Sequence, residues 1–212
     1  MPNTDDLIDQ LTEGLTPRRS VSPTLGRALL GLVALGTIAV LIALLGMRPD
    51  FRDGHPHVVP LIAALVVLSA GLSVAAALTG MARPAVGSSR SGWQWSVAAL
   101  GVLPVAALVT AAGNEAARAA MLPPDGPPCL LFGTLSSLAS ITFLSLWLKR
   151  GAPSSAERAS WLIGIAGGAV GAMAIAFCCP ADTITHIGTW HVGIIAVSAL
   201  GSRLLLPRFL RW

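Results

Sequence analysis

The chain carries too little charge for its length. Of 212 residues 14 are Lys or Arg and 10 are Asp or Glu, so 11 % are charged, where soluble domains carry about 25 %. Tyrosine is absent and 54 % of residues are apolar. So few charges cannot cover the surface of a soluble domain of this size. Cysteine is scarce too: three residues without a C-x-x-C pair exclude a disulfide-rich scaffold and a zinc ribbon. No Ser/His/Asp set, H-E-x-x-H pair or Gly-rich phosphate loop is visible, which argues against an enzyme. The pI of 9.8 does not indicate direct nucleic-acid binding, because the basic residues are dispersed instead of gathered in a patch. A cleaved leader is not expected. Asp5, Asp6, Asp9 and Glu13 precede the first apolar run, and no small-residue cleavage site follows it.

What is present is a series of charge-poor apolar runs, each near the roughly 20 residues that cross a hydrocarbon core about 30 Å thick. Six are read: Ala28 to Met47, Val58 to Ala82, Trp93 to Ala112, Cys129 to Leu148, Trp161 to Cys178, and about Ile187 to Leu206. The expected fold is all-α, a polytopic membrane protein of six transmembrane helices with the lipid bilayer as solvent, since an open sheet edge does not survive in lipid. Residues 1–27 form a cytoplasmic partner-binding segment, 28–206 the membrane domain and 207–212 a tail. Pro104 is expected to bend the third span. In the fifth, Gly164, Gly167, Gly168 and Gly171 give two overlapping G-x-x-x-G spacings for close packing, which Ser136 and Ser140 echo on the fourth.

The only formal charge within these spans is Arg203, close enough to an end to snorkel. Transporters and channels place ionisable groups near the midplane, so transport is disfavoured. With the N-terminus inside, Arg18, Arg19, Arg27, Arg83, Arg90, Lys149, Arg150, Arg158, Arg203, Arg208 and Arg211 are cytoplasmic. Only Arg48, Arg52 and Arg118 are external, so the positive-inside rule selects both termini in the cytoplasm. Trp93, Trp95, Trp147, Trp161 and Trp212 fall at the same cytoplasmic span ends. All four histidines fall on the outer side. His55 and His57 lie in the first external loop, and His186 and His191 flank Trp190; all four read as interfacial polar residues.

Two constellations could carry function. In the first, Thr4 is expected to cap a short helix with Asp5 and Asp6 in its first turn, and Pro17 to stop it. Leu7, Ile8, Leu11 and Leu15 line one face; Asp6, Asp9, Gln10 and Glu13 line the other. An interfacial membrane helix would be basic, so this acidic one suits a basic groove on a partner protein. In the second, Cys129 opens span four and Cys178 with Cys179 closes span five, which puts three thiols at one external face. A disulfide or a thiophilic metal ion fits there, with His186 or Asp182 as helpers; no resident cofactor is expected.

The order of these motifs resembles the NrsF-type anti-sigma factors of proteobacterial inner membranes. The matching residues are Thr4-Asp5-Asp6-Leu7-Ile8 with Leu11, Leu15, Pro17 and Arg18-Arg19, Cys129, Arg150-Gly151-Ala152-Pro153, Cys179-Pro180-Ala181-Asp182, Trp190-His191 and Leu210-Arg211-Trp212. The resemblance implies an anti-sigma factor that holds an extracytoplasmic-function sigma factor at the membrane and releases it under stress, heavy metals included. It carries a sensing role onto Cys129 and Cys179 and a binding role onto the N-terminal segment. Relatives often have His before the second cysteine, where this chain has Cys178, so both Cys178 and Cys179 stand as partners for Cys129. The rival reading is a membrane thiol-disulfide oxidoreductase, which would need a second communicating thiol pair or a quinone site. A small transporter is a more remote alternative.

Overall fold

A computed structural model of the chain describes residues 3–13, 22–82, 92–151, 153 and 155–210. Every regular element among them is helical, and six helical stretches are long and apolar enough to cross a membrane. They are α2 (Pro23–Leu45), α4 (Val58–Met81), the pair α5 (Trp93–Leu100) and α6 (Val102–Gly113), α8 (Gly126–Lys149), α9 (Ala156–Ala176), and a composite of α10 (Ile184–His186), a π-turn (Ile187–His191) and α11 (Val192–Leu205). Short helices α1 (Thr4–Thr12), α3 (Pro49–Arg52), α7 (Glu115–Ala119) and α12 (Pro207–Leu210) accompany them.

The boundaries differ from the sequence reading where local chemistry decides them. Pro23 starts α2 in the first turn, where its missing N–H costs nothing, and Gly46, at φ 84°, ends it in a conformation that other residues avoid. The third span breaks at Gly101, three residues before Pro104. Pro104 offers no N–H to the Leu100 carbonyl, and the ladder opens one turn upstream of the proline. The fifth span starts at Ala156 and ends at Ala176, so Cys178 lies beyond the helix and not within it. Glu157 is then brought to Arg203, at 2.9 Å.

Helix α9 is the centre of the bundle, with 72 % of its most apolar stretch buried against 11 % for α2. Its glycines explain this, because they form two ridges that serve two neighbours. A Cβ on Gly164 would lie 2.4 Å from the Ser198 carbonyl oxygen and one on Gly168 2.8 Å from Ile195 Cα, so this ridge seats α11. A Cβ on Gly167 would lie 2.5 Å from Ile141 Cγ1 and one on Gly171 2.2 Å from the Gly133 carbonyl oxygen, so the other ridge seats α8. Backbones approach this closely only where side chains are missing. The buried small residues of α8 include Gly133, Ser137 and Ser140, with Ser136 only half-buried, and Ser137 Oγ meets Ser198 Oγ of α11 at 3.0 Å.

At one end of the bundle, Arg158 lies over the Trp93 ring, Lys149 over Phe209, and Gly26 is pressed against the Trp147 indole. At the opposite end lie the cysteines, the 48–57 connection and the π-turn.

The structure corrects the N-terminal helix at both ends: it stops at Thr12, with Glu13 extended, and does not run on to Pro17. Asn3, not Thr4, is the N-cap, its Oδ1 accepting from the Asp5 N–H at 3.5 Å. Helix α1 runs to Thr12, with Asp5 and Asp6 in its first turn and none of its residues buried. Leu15 and Pro17 lie outside the described residues.

Candidate functional site

Three segments converge at the cysteine end. The first is the start of α8, where Gly126, Pro127 and Pro128 lead into Cys129. The second is the exit of α9. The N–H groups of Cys178 and Cys179 both turn back onto the Ile175 carbonyl, at 2.9 and 2.8 Å, and Pro180 prevents the helix from resuming. That turn directs Cys179 inward, where it is buried, and leaves Cys178 half-exposed. Cys129 and Cys179 are free thiols with Sγ atoms 3.2 Å apart. Of the two candidate partners for Cys129, the geometry selects Cys179.

The third segment is the start of the last span. Thr183 Oγ1 accepts from the His186 N–H at 3.4 Å and caps the first turn, and His186 Nε2 lies 3.4 Å from Cys179 Sγ. His191 is five residues further on. In an α-helix five residues turn the chain through about 1.4 revolutions, which would send the two rings in different directions. The π-turn changes this: Val192 N–H bonds to the Ile187 carbonyl, an i→i+5 register that stacks residues five apart. His186 and His191 therefore stand side by side, ring centroids 5.6 Å apart.

The result is a group of four side chains, Cys129, Cys179, His186 and His191, whose donor atoms all lie within 4.8 Å of one another. All are buried, between 2 and 7 % exposed. The histidines are therefore not interfacial, as expected from their position, but interior. His191 Nε2 has no hydrogen-bond partner although it is sealed from solvent, an unusual state for a polar atom. Asp182 is not in the group; half-exposed, it faces His57 at 3.9 Å. The Cys179 thiol is held below its ordinary pKa by the hydrogen bond from Cys129, against the opposing effect of burial, with His186 and His191 adding to the lowering.

Two clasps hold the turn in place. Trp190 donates its indole N–H to the Met121 carbonyl at 2.9 Å, its ring lying where a Cβ on Gly126 would be. Gly188 packs on the Leu103 carbonyl, where its Cβ would lie 2.5 Å away, so α6 touches the π-turn through backbone. On the other side Arg48, buried after the end of α2, ties itself to the Cys179 loop: its N–H donates to the Phe177 carbonyl at 2.9 Å and its Nη1 to that of Ala181 at 3.4 Å. Its Nε is paired with Asp50. An open hollow lined by Asp125, Cys129, Cys178 and Cys179 adjoins the group.

Sequence reasoning places His191 at the interface and misses it as a member, since the spacing His186-x4-His191 matches neither helical nor strand periodicity. The α1 residues Leu7, Ile8 and Leu11 are exposed, as are Asp6 and Asp9.

Over residues 11–212 the chain matches the family model of NrsF, the negative regulator of sigma F. Neither a curated protein nor a solved structure matches it. The chain belongs to the NrsF family, whose role is negative regulation of a sigma factor.

Proposed function

We propose that this member of the NrsF family is an inner-membrane anti-sigma factor, with both termini in the cytoplasm, that binds an extracytoplasmic-function sigma factor through α1. The carrying observation is the state of α1: an amphipathic helix with Leu7, Ile8 and Leu11 between 48 and 68 % exposed. A helix of this length is marginal alone in water. Its apolar face lacks cover within the described chain, and its acidic face repels anionic lipid, so a basic protein groove is the fitting cover. Leu11 falls inside the family match, while Leu7 and Ile8 precede it.

The opposite end would be periplasmic. Lys149, Arg158 and Arg203 gather with Trp93 and Trp147 at the end away from the thiols, which supports that orientation. Sensing runs through the Cys129 and Cys179 thiols, and a change of state there shifts the bundle and releases the sigma factor under oxidative or heavy-metal stress. The test joins topology to capture. Reporters fused after Asp125 and after Ser154 should read outside and inside, and the full chain in native membranes should retain a sigma factor and release it when inducer is added. A Ser154 fusion outside the cell membrane would sink the orientation. Unimpaired sigma activity in cells overproducing the chain would sink the anti-sigma reading. Catalytic thiol exchange with a small disulfide substrate would favour the oxidoreductase.

A further inference from the structure

The four buried donors admit a more specific reading than thiol chemistry alone. We propose that Cys129, Cys179, His186 and His191 form a closed four-ligand site for one divalent thiophilic cation of the zinc and cadmium class. This deepens the sensing reading, on which it rests for its biological role but not for its chemistry.

The geometry supplies the first argument. Zinc with two thiolates at about 2.3 Å and two imidazoles at about 2.0 Å gives a tetrahedron with edges of roughly 3.3 to 3.8 Å. Here the Cys129–Cys179 edge is 3.2 Å and the Cys179–His186 edge 3.4 Å, with every donor pair within 4.8 Å. The group can close on an ion by movements of about an ångström or less, a scale that follows from those edges. The set also comes from three separate segments, so its assembly is not a by-product of one helix.

Charge supplies the second argument. A divalent ion with two thiolates and two neutral imidazoles makes a neutral unit, which is the condition for burying it in a low-dielectric bundle. Replacing His191 by Asp182 would leave a net negative charge, and Asp182 is turned away toward His57. The third argument is the His191 Nε2 without a partner in a sealed interior, on a ring that only the π-turn brings to the cysteines. π-turns concentrate at functional sites. The open hollow lined by Asp125, Cys129, Cys178 and Cys179 offers an approach from outside.

Loading is an exchange without electron transfer. The hydrated cation gives up its waters, two S–H bonds are replaced by two metal–sulfur bonds, two imidazole lone pairs coordinate, and the displaced thiol protons pass to solvent. The ion would fasten the start of α8 to the exit of α9 and to the π-turn.

The test uses the full chain, purified in detergent under reductant and titrated with Co²⁺, whose visible spectrum reports tetrahedral geometry and whose charge-transfer band reports thiolates. One Co²⁺ per chain should bind with a tetrahedral two-thiolate spectrum and be displaced by Zn²⁺ or Cd²⁺. Cys179→Ser and His191→Gln should each weaken binding at least tenfold, while Cys178→Ser and Asp182→Asn stay within twofold. Because a buried variant can fail by misfolding, His191→Cys is included: it retains a ligand and should restore binding with a stronger charge-transfer band. The absence of a stoichiometric tetrahedral spectrum, or His191→Gln binding within twofold of the unaltered chain, overturns the site. The same variants in a sigma-dependent reporter strain separate the two readings. Binding as described with an unchanged inducer response in His191→Gln leaves the site standing and removes its sensing role. No binding together with a response abolished by Cys129→Ser removes the site and leaves thiol oxidation as the sensor.

Discussion

The thiol and histidine centre and helix α1 invert each other's chemistry. In the centre four polar side chains are 2 to 7 % exposed; in α1 Leu7, Ile8 and Leu11 are 48 to 68 % exposed. Buried polar groups are tolerated when they satisfy one another or an ion, and exposed apolar faces when something covers them. The first region is therefore nearly complete within the chain, whereas the second leaves an apolar face without cover among the described residues and, under the proposed function, is half of an interface. Changes around the centre should register in the protein's own stability. Changes in α1 should register only in binding.

The largest effect is expected at the helix seam beneath the centre. Gly171 sits where a Cβ would be 2.2 Å from the Gly133 carbonyl oxygen, so Gly171→Leu must force α8 and α9 apart. Overpacking typically costs about 1 to 3 kcal/mol, and a clash with rigid backbone belongs at or above the top of that range. Thermal unfolding in detergent should show a fall in Tm of roughly 10 °C, from a few degrees per kcal/mol. An unchanged Tm would mean that α9 does not hold the bundle together.

Next comes Arg48→Met, which takes the cation from the Asp50 carboxylate, leaving it the bond from the His57 N–H, and removes the contact with the Ala181 carbonyl. Breaking a fully buried pair costs about 3 to 5 kcal/mol, and less is expected here because the Asp50 side chain is 11 % exposed. Arg48 follows α2, which leads back to the N-terminal segment, so this variant should also weaken the inducer response while repression persists. Adding Asp50→Asn should return part of the lost stability. An inducer response equal to that of the unaltered chain would separate α2 from the switch.

The pair Leu7→Ala with Leu11→Ala sharpens the contrast from the other side. Burying a leucine contributes about 1.5 to 3 kcal/mol, so losing most of two should weaken sigma binding at least tenfold. Sigma-dependent transcription should then rise without inducer. Tm should stay within a degree or so, because neither side chain is buried in the chain itself. A marked fall in Tm would show that α1 packs on its own bundle, and full repression at normal protein levels would remove it from the interface.

These differences follow what a one-dimensional pattern carries. Hydropathy found all six spans because every helix in lipid must be apolar over its length, and the glycine spacing in span five signalled close packing because only glycine permits it. It did not reveal that Gly164 and Gly168 serve α11 while Gly167 and Gly171 serve α8, since one helix's spacing says nothing of which neighbours sit on it. The cysteines were legible because both ends of two joined spans held them. His191 was not: its membership depends on a π-turn, a local change of register built by packing around Gly188 and Trp190, and no periodicity taken at 3.6 residues per turn contains it. Asp182 looked like a ligand from its nearness in sequence to Cys179, yet Pro180 turns the chain between them.

The smallest expected effect distinguishes steering from contact within α1 itself. Asp6 and Asp9 are fully on the solvent side, and exposed charges contribute through long-range attraction that salt screens over about 10 Å at 0.1 M. Asp6→Asn with Asp9→Asn should therefore slow association with the sigma factor a few-fold at low salt and leave dissociation nearly unchanged, as rim charges generally do. At high salt the variant and the unaltered chain should converge. The leucine variants should behave oppositely, dissociating faster at every ionic strength, because apolar burial is not screened. Measuring both rates across a salt series thus assigns each face of α1 its part. A charge variant that dissociates faster at high salt would place Asp6 or Asp9 in direct contact with the partner and blur the division between an apolar binding face and an acidic steering face.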